Sequence, residues 1–173
     1  PGFINTAWTI VEEPGIYRGK CTELCGKNHG FMPIVVKAVE QNEYDSWIAE
    51  KQAAAIAMAE LTEKDWTAEE LVARGEALYT TNCVACHQVN GQGITGIFPA
   101  LAGSGIVMND KARNIEILME GVQGAAMNSF SYLSEVEMAS VITYTRQSWG
   151  NAQNGDGEIV APKDIVEYKK NKI

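Results

Sequence analysis

At 173 residues, the chain is long enough for one or two small domains, and 46% apolar and 21% charged residues are ordinary proportions for a globular protein. Its 22 acidic and 14 basic residues give a net charge of −8. That excludes nucleic acid as a natural partner and leaves a basic protein partner or simply a solvated acidic surface. No apolar run reaches the ~20 residues of a membrane-spanning helix, and a start at Pro1 reads as a processed or trimmed piece.

Residues 1–40 read as strands and turns. Phe3 to Val11 mixes β-branched and aromatic residues, with Ile4, Thr6, Trp8 and Ile10 on one face. Glu13-Pro14-Gly15 is a turn. Ile16 to Lys20 and Ile34 to Val39 are two further strands. Between them lie Cys21, Cys25, His29 and Met32, a soft ligand set held in one loop. Thiolate, imidazole and thioether together select copper over magnesium or calcium. A Cys21–Cys25 disulfide, with His29 and Met32 incidental, is the alternative that spacing leaves open.

The stretch Tyr17-Arg18-Gly19-Lys20-Cys21-Thr22-Glu23-Leu24-Cys25-Gly26-Lys27-Asn28-His29-Gly30-Phe31-Met32-Pro33 closely resembles the dicopper CuA loop of subunit II of haem–copper cytochrome c oxidases. In that family, the loop joins two strands of a cupredoxin barrel. The resemblance implies that Cys21 and Cys25 bridge two coppers, that His29 ligates one, and that Met32 and the Glu23 carbonyl are weaker ligands. The family also uses a second histidine from an upstream strand. The only histidines here are His29 and His87, so the upstream strands, their histidine and the family's two membrane helices were either cut off or belong to another polypeptide. The expectation is that the chain alone holds no native mixed-valence dicopper centre, and that the strand segment docks on its neighbour, swaps between chains or stays poorly ordered.

Residues 41–66 form a connector, with a helix expected from Asp45 to Glu60 because Tyr44, Trp47, Ile48 and the alanine-rich run at 53–59 favour one. At Thr67 a second domain opens with a capping box, Thr67 followed by Glu70. Its helix runs past Gly75, Leu78 and Tyr79 to about Asn82. It delivers Cys83-Val84-Ala85-Cys86-His87, the spacing of a c-type haem attachment site. Two thiols add to the two porphyrin vinyl groups, and the next residue's imidazole becomes the proximal iron ligand. A redox cysteine pair or half a zinc site shares the cysteine spacing but does not account for the adjacent histidine.

An electron-carrying haem takes a second axial ligand, and Met108, Met119 and Met127 are the candidates. Met108 sits in a polar turn and Met119 in a helical run from Asn114 to Glu120. Met127 sits in a small-residue loop at 124–130, where backbone can approach a porphyrin face. Met127 is therefore the expected ligand, and His/Met ligation raises the potential. A second capping box, Ser134 with Glu137, starts a last helix with Val136, Ala139, Ile142 and Thr143 on one face; this helix is expected to cross the first at Gly75. From Asn151 the chain reads as a loop and a loose, charged tail.

Residues 67–150 resemble a class I cytochrome c domain. By that resemblance Pro99 supplies the carbonyl that orients the proximal histidine. A CuA loop followed by such a domain resembles oxidases whose subunit II carries a fused cytochrome c. The fold expected is mainly α: a class I cytochrome c helical domain at 67–150, preceded by a partial cupredoxin-like β segment at 1–40 and a helical connector at 41–66, and followed by a tail at 151–173. The resemblance implies electron transfer in aerobic respiration. The haem domain accepts electrons from a donor cytochrome or reductase and passes them to CuA and on to the oxygen-reducing subunit I of a proton-pumping complex. It also implies haem c and copper as cofactors and the outer face of the bacterial cytoplasmic membrane as location, with membrane contact only through upstream helices. The chain itself carries no catalytic residues. The alternatives are a free-standing soluble monohaem cytochrome with a vestigial, metal-free strand region, and a copper delivery or sensing module.

Overall fold

A computed structural model describes residues 3–172. The chain divides into two compact units, one ending at Ile56 and the other beginning at Ala57. The first is built on an antiparallel hairpin of β1 (Gly15–Lys20) and β2 (Pro33–Ala38), with Tyr17 opposite Val36 and Lys20 opposite Pro33. Isoleucine, valine and tyrosine suit a pleated surface, and Cys21 N–H extends the pairing by one bond to the Met32 carbonyl at 3.3 Å. Among the described residues up to Ile56, none is buried.

Phe3 to Val11 forms no strand, contrary to the sequence expectation. A strand exists only through its ladder, and these residues have no neighbouring strand to pair with; Trp8 is left 87% exposed. Helix α1 spans Gln41–Glu63, longer at both ends than the expected Asp45–Glu60. Its first turn is closed by Tyr44 N–H on the Glu40 carbonyl (3.0 Å), and its last by the Trp66 indole N–H on the Leu61 carbonyl (2.8 Å). It buries no residue, so alanine-rich propensity rather than packing accounts for it.

The second unit is organised around two helices, α2 (Ala68–Asn82) and α6 (Glu135–Gln147). Both start at the capping boxes read from the sequence: Glu70 N–H donates to Thr67 Oγ1 and Glu137 N–H to Ser134 Oγ, and each glutamate accepts in return. Leu71, Tyr79, Val136, Ala139, Ile142 and Thr143 face the core. The helices cross at Gly75, where an added Cβ would land on the Ser140 carbonyl and the Tyr144 Cβ. The side-chain-free position therefore sets how closely they approach.

Between them lie α3 (Val84–His87), α4 (Gly105–Asn109) and α5 (Lys111–Glu120). Met108 is helical rather than in a polar turn, its N–H bonded to the Ser104 carbonyl at 2.9 Å. Helix α5 starts three residues before the expected Asn114 because the Asp110 carboxylate accepts the Arg113 N–H. The largest correction is at the C-terminus. Residues from Asn151 are not a loose tail: they form α7 (Asn151–Asn154) and α8 (Pro162–Asn171) and bury Val160 and Ile165 completely. Thr143 Oγ1 donates to the Val160 carbonyl and accepts its N–H, at 3.0 and 2.9 Å. Each such aliphatic side chain contributes about 1.5–3 kcal/mol when buried. Pro162 pre-sets the first turn of α8, and Asp164 accepts the Ala161 N–H (2.7 Å).

Candidate prosthetic-group and metal sites

The end of α2 carries Cys83, and the single turn of α3 carries Cys86 and His87. His87 is 9% exposed. Its Nδ1 lies 3.0 Å from the Pro99 carbonyl. A carbonyl only accepts, so Nδ1 carries the proton and the Nε2 lone pair is left for a metal. Gly93 makes this contact possible: it has φ +63°, and a Cβ there would strike the Phe98 and Pro99 carbonyls. Its N–H also holds the His87 carbonyl at 3.0 Å.

His87 opens onto an apolar cleft of about 280 Å³ whose walls include Cys86, Pro99, Leu101, Ile106 and Met127. A smaller cavity of about 70 Å³ brings Cys83, His87 and Met127 together. Among the described residues, Met127 is the one of the three candidate methionines that lines these spaces. Met119 packs on the hydrophobic core, and the Met108 Cβ and carbonyl abut Gly155. The Met127 loop is fixed by Val122 N–H on the Met127 carbonyl (2.9 Å). The glycine that permits that closeness is Gly121, φ +73°, where a Cβ would fall 2.5 Å from the same carbonyl; the small residues at 124–126 were the sequence expectation. Burial pushes the Cys83 thiol up to about 11, with Cys86 adding to it, the opposite of a reactive thiolate. Two thiols, an imidazole with a free Nε2 and a thioether on one apolar cleft fit a covalently held porphyrin whose iron takes two protein ligands.

No Asp, Glu, Lys or Arg occurs from Ala77 to Asn109 or from Gly121 to Ser134. Those two segments supply most of the cleft, and exposed Ile97 and Ile106 flank its opening. An apolar, charge-free rim thus sits on an otherwise acidic chain.

Two residues that the sequence reading passed over stand behind the cleft. Arg146 and Asn151 are 2% and 1% exposed. Their side chains bond to the backbone at Leu101, Gly103 and Val107. A signal for Arg146 did exist, since it continues the spacing of Ala139, Ile142 and Thr143 on the buried face of α6.

In the first unit, the turn between β1 and β2 gathers the sulfur ligands. Cys21 Sγ is 3.6 Å from Cys25 Sγ, which is 3.6 Å from His29 Nδ1 and 3.0 Å from Met32 Sδ. The Cys21 thiol donates to the Glu23 carbonyl at 3.1 Å. The donor atoms of Cys21, Cys25 and His29 all lie within 4.8 Å of one another, and a one-turn 3₁₀ segment, His29–Phe31, presents the histidine. The neighbouring Cys21 thiol holds the Cys25 thiol above its usual range. Every donor expected from the loop is therefore in one cluster, and its soft sulfur-rich character fits copper.

Residues 1–39 match the family described as cytochrome c oxidase subunit II, periplasmic domain, and residues 72–149 match cytochrome c. Cytochrome c oxidase subunit 2 of Alkalihalophilus pseudofirmus is 32% identical over 157 residues, covering 84% of this chain and 43% of that protein. The probable cytochrome c oxidase subunit 2 of Rickettsia felis is 52% identical over 56 residues, 32% of this chain and 18% of that protein. Cytochrome c oxidase subunit 2 of Arabidopsis thaliana is 49% identical over 49 residues, 28% of this chain and 19% of that protein. The chain therefore spans less than half the length of these relatives.

Proposed function

From the match of residues 1–39 to a cytochrome c oxidase subunit II periplasmic domain and of residues 72–149 to cytochrome c, we propose an electron-transfer module of a respiratory oxidase, working on the periplasmic side of the membrane. The observation that carries the reading is the convergence of Cys83, Cys86, His87 and Met127 on one apolar cleft, with His87 fixed by the Pro99 carbonyl. A bound haem c supplies the one-electron iron couple. Cys83 and Cys86 would anchor it, His87 Nε2 and Met127 Sδ would be donors to its iron, and the Pro99 carbonyl holds the imidazole through Nδ1. The apolar walls exclude water, which favours the less charged reduced state. The charge-free rim is where a donor cytochrome or reductase makes its approach.

The loop at Cys21, Glu23, Cys25, His29 and Met32 is the copper side of the same function. In the whole protein these residues would hold copper, which would supply a one-electron couple for passing the electron onward. A dicopper centre uses a histidine on each copper, and the second histidine of this chain, His87, faces Pro99. We therefore assign this chain the loop's ligands, with the upstream histidine missing, and not a native dicopper centre on its own. The test of the haem assignment is Met127→Ala. It should abolish the sulfur-to-iron charge-transfer absorption and lower the potential, whereas Met108→Ala and Met119→Ala should leave both in place. Loss of the absorption in either of the latter instead overturns the ligand assignment.

A further inference from the structure

The electron-transfer reading leaves unused two buried polar side chains whose bonds reach the cleft backbone, Arg146 and Asn151. Each of the three Arg146 nitrogens has a partner. One terminal nitrogen donates to the Val107 carbonyl at 2.8 Å, Nε donates to the Glu158 carbonyl at 3.0 Å, and the other terminal nitrogen donates to an Asp156 carboxylate oxygen. Asn151 Oδ1 accepts the Gly103 N–H at 2.8 Å, while its Nδ2 donates to the Leu101 and Thr145 carbonyls at 3.1 and 2.8 Å. Leu101 and Val107 are cleft-lining residues, and the stretch between them begins two residues after Pro99, the partner of His87. The same C-terminal segment is locked from outside: Asp156 N–H donates to the Met108 carbonyl (3.2 Å), and at Gly155 a Cβ would strike Met108.

We infer that Arg146 and Asn151 are positioning residues that hold the backbone of residues 101–107 as a fixed cleft wall, and that through this wall they set the haem's potential and keep Met127 ligated. Three physical points carry this. Backbone carbonyls held by a charged donor are fixed more firmly than by a neutral one. Leu101, Gly103 and Val107, three of the six partners of these two side chains, lie on the wall itself, so losing those bonds frees cleft backbone. A buried guanidinium beside the cleft also disfavours the oxidised, more positive iron. The C-terminal segment from Gly155 to Glu158 thereby becomes part of the redox site, since it supplies two of the three partners of Arg146.

The inference rests on the haem assignment above, and the experiment separates the two. The full chain is prepared with covalent haem as wild type, Arg146→Lys, Arg146→Met and Asn151→Ala, with Thr143→Val as a control. That control breaks the equally buried bonds to Val160, which do not touch the wall. Midpoint potential, the sulfur-to-iron absorption and the melting temperature are recorded on the haem-loaded protein. The expected result is a lower potential and a weakened sulfur-to-iron absorption in Asn151→Ala and Arg146→Met. Arg146→Lys should fall between wild type and Arg146→Met, because it keeps the charge but not the fork of donors. Thr143→Val should melt earlier with potential and absorption unchanged. If Arg146→Met does not fold, Arg146→Lys and Asn151→Ala decide the matter. A potential and absorption equal to wild type in both overturns the inference, as does a Thr143→Val shift as large as theirs. A wild type without covalent haem or the sulfur-to-iron absorption instead overturns the function proposed above.

Discussion

The two units build their candidate sites in opposite ways. In the hairpin unit, every donor comes from a single turn between two paired strands, and the unit buries none of its described residues. In the helical unit, Cys83 and His87 share one turn, but Pro99 and Met127 come from separate, distant segments, and the four meet at cavities walled by the packed helical core. A site carried by one turn needs only local geometry. A site assembled from distant segments needs a packed core, so damage to packing should reach the second site and leave the first alone.

The harshest way to sharpen that contrast is Gly75→Leu. A side chain there meets backbone of α6 that cannot move aside, and the cost should exceed about 3 kcal/mol. Urea unfolding followed by helical circular dichroism should show the loss, while copper uptake at Cys21 and Cys25 on the same chain should be unchanged. Coordinate loss of copper uptake would break the comparison. Gly93→Ala is the next test. It forces a left-handed backbone on a residue with a Cβ and pushes that Cβ into the Pro99 carbonyl. About 1–3 kcal/mol of stability should go, and the released His87 should appear as a lower potential.

Those two glycines also mark how far the sequence could be read. The capping boxes at Thr67 and Ser134 are local patterns, and each lies where its pattern placed it; the cysteine motifs at 21–25 and 83–86 are local patterns too, and their side chains gather with His29 and with His87 and Met127. Gly75 was legible as a crossing because a lone glycine stood on an otherwise good helix. The strand expected at Phe3–Val11 failed because composition signals extended chain but cannot supply a ladder partner. The C-terminal helix was hidden by the Asn-Ala-Gln-Asn-Gly-Asp-Gly run ahead of it, and its anchor, Thr143 against Val160, is a contact that no period encodes. Arg146 was missed because a charged residue on a buried stripe reads as the end of the stripe until its partners are seen.

A milder perturbation acts on the hairpin side. Cys25→Ser removes the sulfur nearest to Cys21, His29 and Met32 together, so copper uptake measured by metal counting should be lost while haem reduction and reoxidation proceed unchanged. In the unaltered chain, electron paramagnetic resonance after copper addition should lack the signal of one unpaired electron shared by two coppers. Two coppers sharing one electron in the monomer would refute the incomplete-site assignment.

The smallest expected effect is a pH dependence confined to the helical unit. The Lys169 ammonium holds the Glu135 carboxyl below the usual carboxylate range, and the Ser134 hydroxyl and backbone do the same for Glu137. A lowered folded-state value means stability present above the unfolded glutamate value near ~4.3, lost as pH falls through the folded values. Melting temperature should therefore decline below about pH 4.3, and Glu137→Gln should flatten the decline. An unaltered slope in that variant would remove the α6 cap from the explanation.

The crossing at Gly75 bears on how the chain reaches its fold. Helical proteins ordinarily fold fast because their contacts are between near neighbours in sequence. Here everything from Cys83 to Ser134 lies between the two helices that must meet, so that long loop has to close before the central packing forms. A group tied at Cys83 and Cys86 and gripped again at Met127 would close most of the same loop in advance. Folding of the unit should accordingly be slower than its helix content suggests, and fastest after attachment is complete.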